Sequence, residues 1–182
     1  MKSYIKVLFF GFLFFCLQTG LLAARETAED FAREMIKEKA KEKSKEEPIA
    51  TPDFQLQDIY QEIYTLSDYR GKQPIVLFFW ATWYPFCQRE LGVLNNMYAG
   101  LEKDGVQLLS IDVGELSDQV EGFVRHFGLA YPVLLDKDTR VADSFGIDVP
   151  AYVFIEKSGA VVYKGDSFAY DKYKTLLLGK AD

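Results

Sequence analysis

Cysteine is nearly missing from this chain: Cys16 and Cys87 are the only two in 182 residues. Cys16 lies inside an N-terminal apolar run, so a chain trimmed at its start keeps one thiol and no internal disulfide. Histidine is scarcer still, with His126 alone. One imidazole and one thiol leave few ligands for a transition metal, and His126 reads as a surface or helix-packing residue. No metal and no cofactor is expected. Positive charge is also in deficit, 21 Lys and Arg standing against 27 Asp and Glu. Without a basic stripe to neutralise phosphates, a nucleic-acid partner is excluded. The 15 Phe and 11 Tyr have no interleaved basic residues, so they line a core and a pocket rather than a base-stacking platform.

What the chain does have is apolar content, 49% by residue, enough to bury one core in a single domain with appendages. The N-terminus reads as a targeting element. Lys2 and Lys6 precede the apolar run Val7 to Leu17, and Leu22-Ala23-Ala24 offers small residues for cleavage. Residues 1–24 are therefore assigned as a signal peptide or, uncleaved, as a membrane anchor through residues 4–24. The bulky Leu13-Phe14-Phe15 before Cys16 argues against lipidation there. Residues 25–47 alternate charge (Glu34, Lys37, Glu38, Lys41, Glu42, Lys45). Glu to Lys pairs three and four apart suit a solvated helical spacer, ended by Pro48 and Pro52.

Residues 48–182 carry the folded domain. Short strands are expected at Asp53 to Asp58 and Glu62 to Leu66, and a strand buried on both faces over Ile75 to Trp80. After Cys87, apolar residues Leu91, Leu94, Tyr98 and Leu101 recur at helical spacing until Gly105. A strand over Val106 to Ile111 follows, then a helix capped by Ser117 and ended by Gly128. Val133 to Leu135, a short helix over Thr139 to Phe145, a hairpin of Tyr152 to Ile155 with Val161 to Tyr163, and a helix over Tyr170 to Leu178 complete the pattern. Strands alternating with helices imply an α/β domain with a mixed central sheet flanked by helices.

At the end of the buried strand stands Phe79-Trp80-Ala81-Thr82-Trp83-Tyr84-Pro85-Phe86-Cys87, followed by Gln88-Arg89-Glu90. This segment resembles the active site of the TlpA/ResA-like thioredoxin family, in which a strand ends in Phe-Trp-Ala-Thr-Trp-Cys-Pro-x-Cys and runs into a helix. Further matches are Pro52-Asp53-Phe54, Leu66 to Lys72, Val106 to Asp112, Tyr131-Pro132 and Gly146 to Pro150. The resemblance implies a thioredoxin-like fold and a redoxin-type thiol–disulfide oxidoreductase ancestry. Members attack a disulfide with the first cysteine of the pair and resolve the mixed disulfide with the second.

Here the first position is Tyr84. A phenol with an intrinsic pKa of about 10 neither ionises readily at neutral pH nor forms a disulfide, so the dithiol cycle cannot run in one chain. The resemblance places Cys87 at the resolving site, Glu90 at the acid that tunes proton transfer, Pro150 at the cis-proline facing the active site, and Trp83 beside the missing thiol. Three functions follow. The first is residual single-cysteine chemistry at Cys87 on thiol-protein clients. Peroxide reduction is its weaker form, since peroxiredoxins carry Thr and Pro where this chain has Tyr84 and Trp80. The second is a redox-inactive module holding an extended polypeptide beside Pro150, with Cys87 an inert buried thiol. The third is a structural envelope component. All three place the protein outside the cytoplasm, in the periplasm or cell envelope.

Overall fold

The computed structural model describes residues 33–35 and 51–178. The chain divides into two units, Met1–Glu47 and Pro48–Asp182. In the first, residues 33–35 are helical and exposed; the signal or anchor assigned to residues 1–24 lies outside the described residues, as does nearly all of the spacer. Among the described residues no helix is long and apolar enough to cross a membrane.

The second unit is built around strand β3 (Ile75–Trp80), whose six side chains are all buried. Successive residues of a strand point to opposite faces, so a six-residue apolar run can build two cores at once. Val76, Phe78 and Trp80 pack with helix α1 (Pro85–Lys103), helix α2 (Ser117–Phe127) and helix α4 (Tyr170–Leu178) on one face. Ile75, Leu77 and Phe79 pack with Phe54, Leu66 and helix α3 (Arg140–Phe145) on the other. Each fully buried aromatic or aliphatic side chain contributes roughly 1.5–3 kcal/mol to the folded state.

Two strands, β1 (Gln55–Gln57) and β2 (Ile63–Thr65), form a small antiparallel ribbon. The main sheet has the order β5-β4-β3-β6-β7. Here β4 is Gln107–Val113, β5 Val133–Asp136, β6 Ala151–Ile155 and β7 Val161–Gly165. The β3, β4 and β5 pairings are parallel, while β6 runs antiparallel to β3 and β7 antiparallel to β6. This is the mixed sheet flanked by helices anticipated from the sequence.

One local reading is corrected. Ser117 does not cap α2: it is the helix's first residue, and Leu116 stands at the N-cap with no side-chain cap. The Leu116 carbonyl accepts the N–H groups of Gln119 and Val120 at 3.1 and 3.2 Å, so the helix turns one residue earlier than a serine cap requires. At the other end Gly128 adopts φ 62°, the left-handed conformation that glycine enters at little cost.

Candidate functional site

Parallel strands bring their carboxyl ends to one edge of a sheet, and loops leaving that edge converge there. Trp80 of β3 lies opposite Asp112 of β4 in register, and Ala151 of β6 lies opposite Phe79. Pro150 therefore stands beside the end of β3. The Val149–Pro150 peptide bond is cis. Beyond Trp80 the chain makes a short loop, and α1 starts at Pro85, whose missing N–H costs nothing at the first helical position.

Tyr84 is the N-cap residue of α1, extended at φ −97° and ψ 111° with no side-chain cap. Its carbonyl accepts the Cys87 N–H at 3.0 Å. The Tyr84 ring is half-buried and packs against the core, between Trp83 at 5.7 Å and Phe86 at 6.4 Å. Trp83 is 66% exposed and Phe86 46%, and the Arg89 guanidinium sits 4.3 Å from the Phe86 ring centre. The position where the resemblance expects an attacking sulfur is thus filled by an aromatic rim.

Cys87, in the first turn of α1, is completely buried, and among the described residues it has no sulfur partner. Burial is the main influence on its thiol and pushes its pKa up. Backbone hydrogen bonds at Ala81 and at Cys87 itself pull the other way, and the Asp112 and Glu115 carboxyls add to the rise. Such a sulfur is a neutral thiol at physiological pH, the weakly nucleophilic form.

Glu90 is bonded to the strand that follows Pro150. Its Oε2 accepts a 3.0 Å hydrogen bond from the Tyr152 hydroxyl, and its Oε1 lies 3.6 Å from the Arg89 guanidinium. Tyr152 is buried on β6, stacked on Phe78 at 4.4 Å. The carboxyl groups that bear most on Cys87 are Asp112 and Glu115, which carried no role in the sequence reading. Glu115 accepts the Thr82 backbone N–H at 2.5 Å and the Thr82 hydroxyl at 2.7 Å, and Gln119 donates to it as well. Asp112 is 1% exposed, with no donor in hydrogen-bonding geometry to either oxygen. Burial, reinforced by Glu115, pushes its carboxyl up to about 9. The signal available in the sequence was an acid near the end of a buried strand.

His126 is exposed and meets Phe127 edge-on at 5.1 Å. Among the described residues no group of three or more His, Cys, Asp or Glu is arranged to hold a metal ion.

A model of the AhpC/TSA family matches residues 50–164. Thiol-disulfide oxidoreductase ResA of Geobacillus thermodenitrificans (strain NG80-2) is 39% identical over 113 residues, covering 62% of this chain and 64% of that protein. ResA of Bacillus subtilis (strain 168) is 34% identical over 112 residues, 61% of this chain and 62% of the relative. The match thus spans under two thirds of each relative's length. Among solved structures, a secreted Mycobacterium tuberculosis disulfide oxidoreductase homologous to E. coli DsbE has a TM-score of 0.59 at 22% identity, covering 69% of this chain and 94% of that one. A putative thioredoxin from Neisseria meningitidis has a TM-score of 0.64 at 23% identity, covering 73% and 91%. These neighbours establish a thioredoxin-like fold.

Proposed function

The chain belongs to the AhpC/TSA family, and on that footing we propose that it holds extended or thiol-bearing polypeptide clients without turning over a dithiol cycle. One observation carries the reading: Tyr84 occupies the N-cap of α1 while the sulfur of Cys87 is wholly buried behind it. Disulfide exchange needs an exposed thiolate to attack and a second sulfur to resolve. Among the described residues neither is offered. The aromatic rim of Trp83, Tyr84 and Phe86 beside Pro150 provides apolar surface for an extended chain. The names of the ResA relatives support thiol proteins as the client class.

In this reading residues 1–24 direct export or anchor the chain, residues 25–47 space it from the membrane, and residues 48–182 form the thioredoxin-like working domain outside the cytoplasm. Fractionation that recovers the full-length chain only in the soluble cytoplasm overturns that placement. Client holding is tested by titrating an unfolded, reduced polypeptide into the protein and following Trp83 fluorescence. A saturable change, with no reduction of insulin by dithiothreitol above the uncatalysed rate, is the expected result. No change at Trp83 overturns it.

A second reading, single-cysteine exchange, is favoured by the place of Cys87 in the first turn of α1, where the helix N-terminus and the backbone hydrogen bonds at Ala81 and Cys87 favour a thiolate. Incubation with oxidised glutathione separates the two. A mixed disulfide formed at native pH supports exchange, and an unmodified mass supports holding.

A further inference from the structure

Thr82 stands in the loop between β3 and α1, directly before Trp83, and each of its polar groups is engaged. Its N–H donates to Glu115 Oε2 at 2.5 Å and its hydroxyl to Glu115 Oε1 at 2.7 Å. The Gln119 amide donates to the hydroxyl oxygen at 2.8 Å, and the Gln88 amide to the carbonyl at 3.1 Å. Gln88 lies on α1, Gln119 on α2 and Glu115 on the connection from β4, so three separate parts of the chain meet on one residue. Thr82 and Glu115 are both buried. A carboxyl group offers two acceptor oxygens at a fixed spacing, which lets Glu115 hold the backbone and the side chain of Thr82 together.

The loop's own bonding is weak. Its backbone bond from the Tyr84 N–H to the Ala81 carbonyl is stretched to 3.4 Å, beyond good hydrogen-bond geometry, and α1 begins with no side-chain cap. Yet one residue beyond each end of the Thr82–Glu115 clamp a large apolar side chain stands in water: Trp83 is 66% exposed and Leu116 76%.

We propose that Glu115 and Thr82 are positioning residues for client binding. Their hydrogen bonds fix the loop that presents Trp83 and join it to the segment that presents Leu116, and these two side chains take a large apolar side chain of an extended polypeptide. The inference rests on the holding reading and gives it a client chemistry. Binding a polypeptide costs the ordering of the loops and side chains that meet it, and a rim ordered beforehand by buried hydrogen bonds escapes that cost. Aromatic anchors held in this way carry most of the affinity of an interface.

The test uses the full chain and two readouts. Hydrogen–deuterium exchange followed by mass spectrometry compares residues 81–84 with β3, and the anisotropy of dye-labelled, reduced and carboxymethylated lactalbumin gives a Kd. In the wild type, residues 81–84 are expected to be protected and the probe to bind saturably. Glu115→Leu removes both acceptors, so exchange at 81–84 should quicken and Kd should rise, each about tenfold, while β3 stays protected. Thr82→Val should raise Kd about threefold, and Thr82→Ser, which keeps the hydroxyl, should bind as the wild type does. Leu116→Ala should raise Kd and leave 81–84 protected. Should Glu115→Leu fail to fold, the two Thr82 variants still decide. An unchanged Kd in Thr82→Val or Leu116→Ala, a Thr82→Ser as weak as Thr82→Val, or faster exchange spread through β3 overturns the proposal and leaves the holding reading standing. A wild type that leaves the probe free overturns both.

Discussion

The hydroxyl of Tyr152 donates to Glu90 Oε2 at 3.0 Å, joining the strand that follows Pro150 to the second turn of α1. Burial is the chief reason the Tyr152 phenol holds its proton far above the ordinary range, and the Glu90 charge adds to it. It is therefore a donor at every physiological pH. Tyr152→Phe removes the hydroxyl and leaves the stack on Phe78. The expected cost is about 0.5–1.5 kcal/mol, the worth of one hydrogen bond, whereas Tyr152→Ala also empties core volume and costs about 3–5 kcal/mol. Urea denaturation of the three proteins checks both figures, and equal losses in the two variants would show that the hydroxyl carries the whole effect.

Cys87 is expected to resist iodoacetamide in the folded protein and to react quickly in denaturant, because the side chain is completely buried and its thiol pKa is raised by that burial. Mass spectrometry of timed samples reads the two rates. Native labelling as fast as that of a free thiol refutes the burial and favours single-cysteine exchange.

Tyr84→Cys places a second sulfur three residues before Cys87 across the first turn of α1, a spacing a disulfide can bridge. The ring it removes is half-buried, so the substitution should cost roughly 1–2 kcal/mol. The variant is expected to form an intramolecular disulfide and to reduce insulin with dithiothreitol, while the parent does not. A folded variant that never forms the bond shows that the loop after β3 lacks the redox-active turn.

The Asp112 carboxyl is raised from 3.8 to about 9, which makes stability depend on pH in a definite direction. Between those values the folded protein keeps a proton that the unfolded chain has lost, so stability falls as pH rises from about 4 to about 9. The contribution of this group falls by at most about 1.4 kcal/mol per pH unit. Below that window the effect vanishes. Asp112→Asn should flatten the slope, so thermal melts at pH 5 and pH 8 should differ less in the variant than in the parent.

Local patterns in the chain reported most of the scaffold. The unbroken apolar run Ile75 to Trp80 became the central strand, and the helical spacing of Leu91, Leu94 and Leu101 became the buried face of α1. The segment Trp83 to Glu90 stood out because neighbours in sequence are neighbours in the site. Asp112, Glu115 and Tyr152 did not stand out, because what defines them is distant: Glu115 meets Thr82 from 33 residues away and Tyr152 meets Glu90 from 62. Ser117 is the opposite case. A good capping residue does not cap when the preceding carbonyl already starts the turn.

Strand β3 has one further consequence, for the chain before it is complete. Its parallel neighbour β4 follows after α1, but its antiparallel neighbour β6 ends only at Ile155, which pairs with Ile75. Until Ala151 to Ile155 has been synthesised, one flank of this wholly apolar strand is an open edge, the kind that recruits other chains. Pairings so remote in sequence also fold slowly. A truncation before Ala151 should therefore yield aggregates rather than a smaller soluble domain, and the same exposure gives a nascent chain a period in which a chaperone can hold it unfolded.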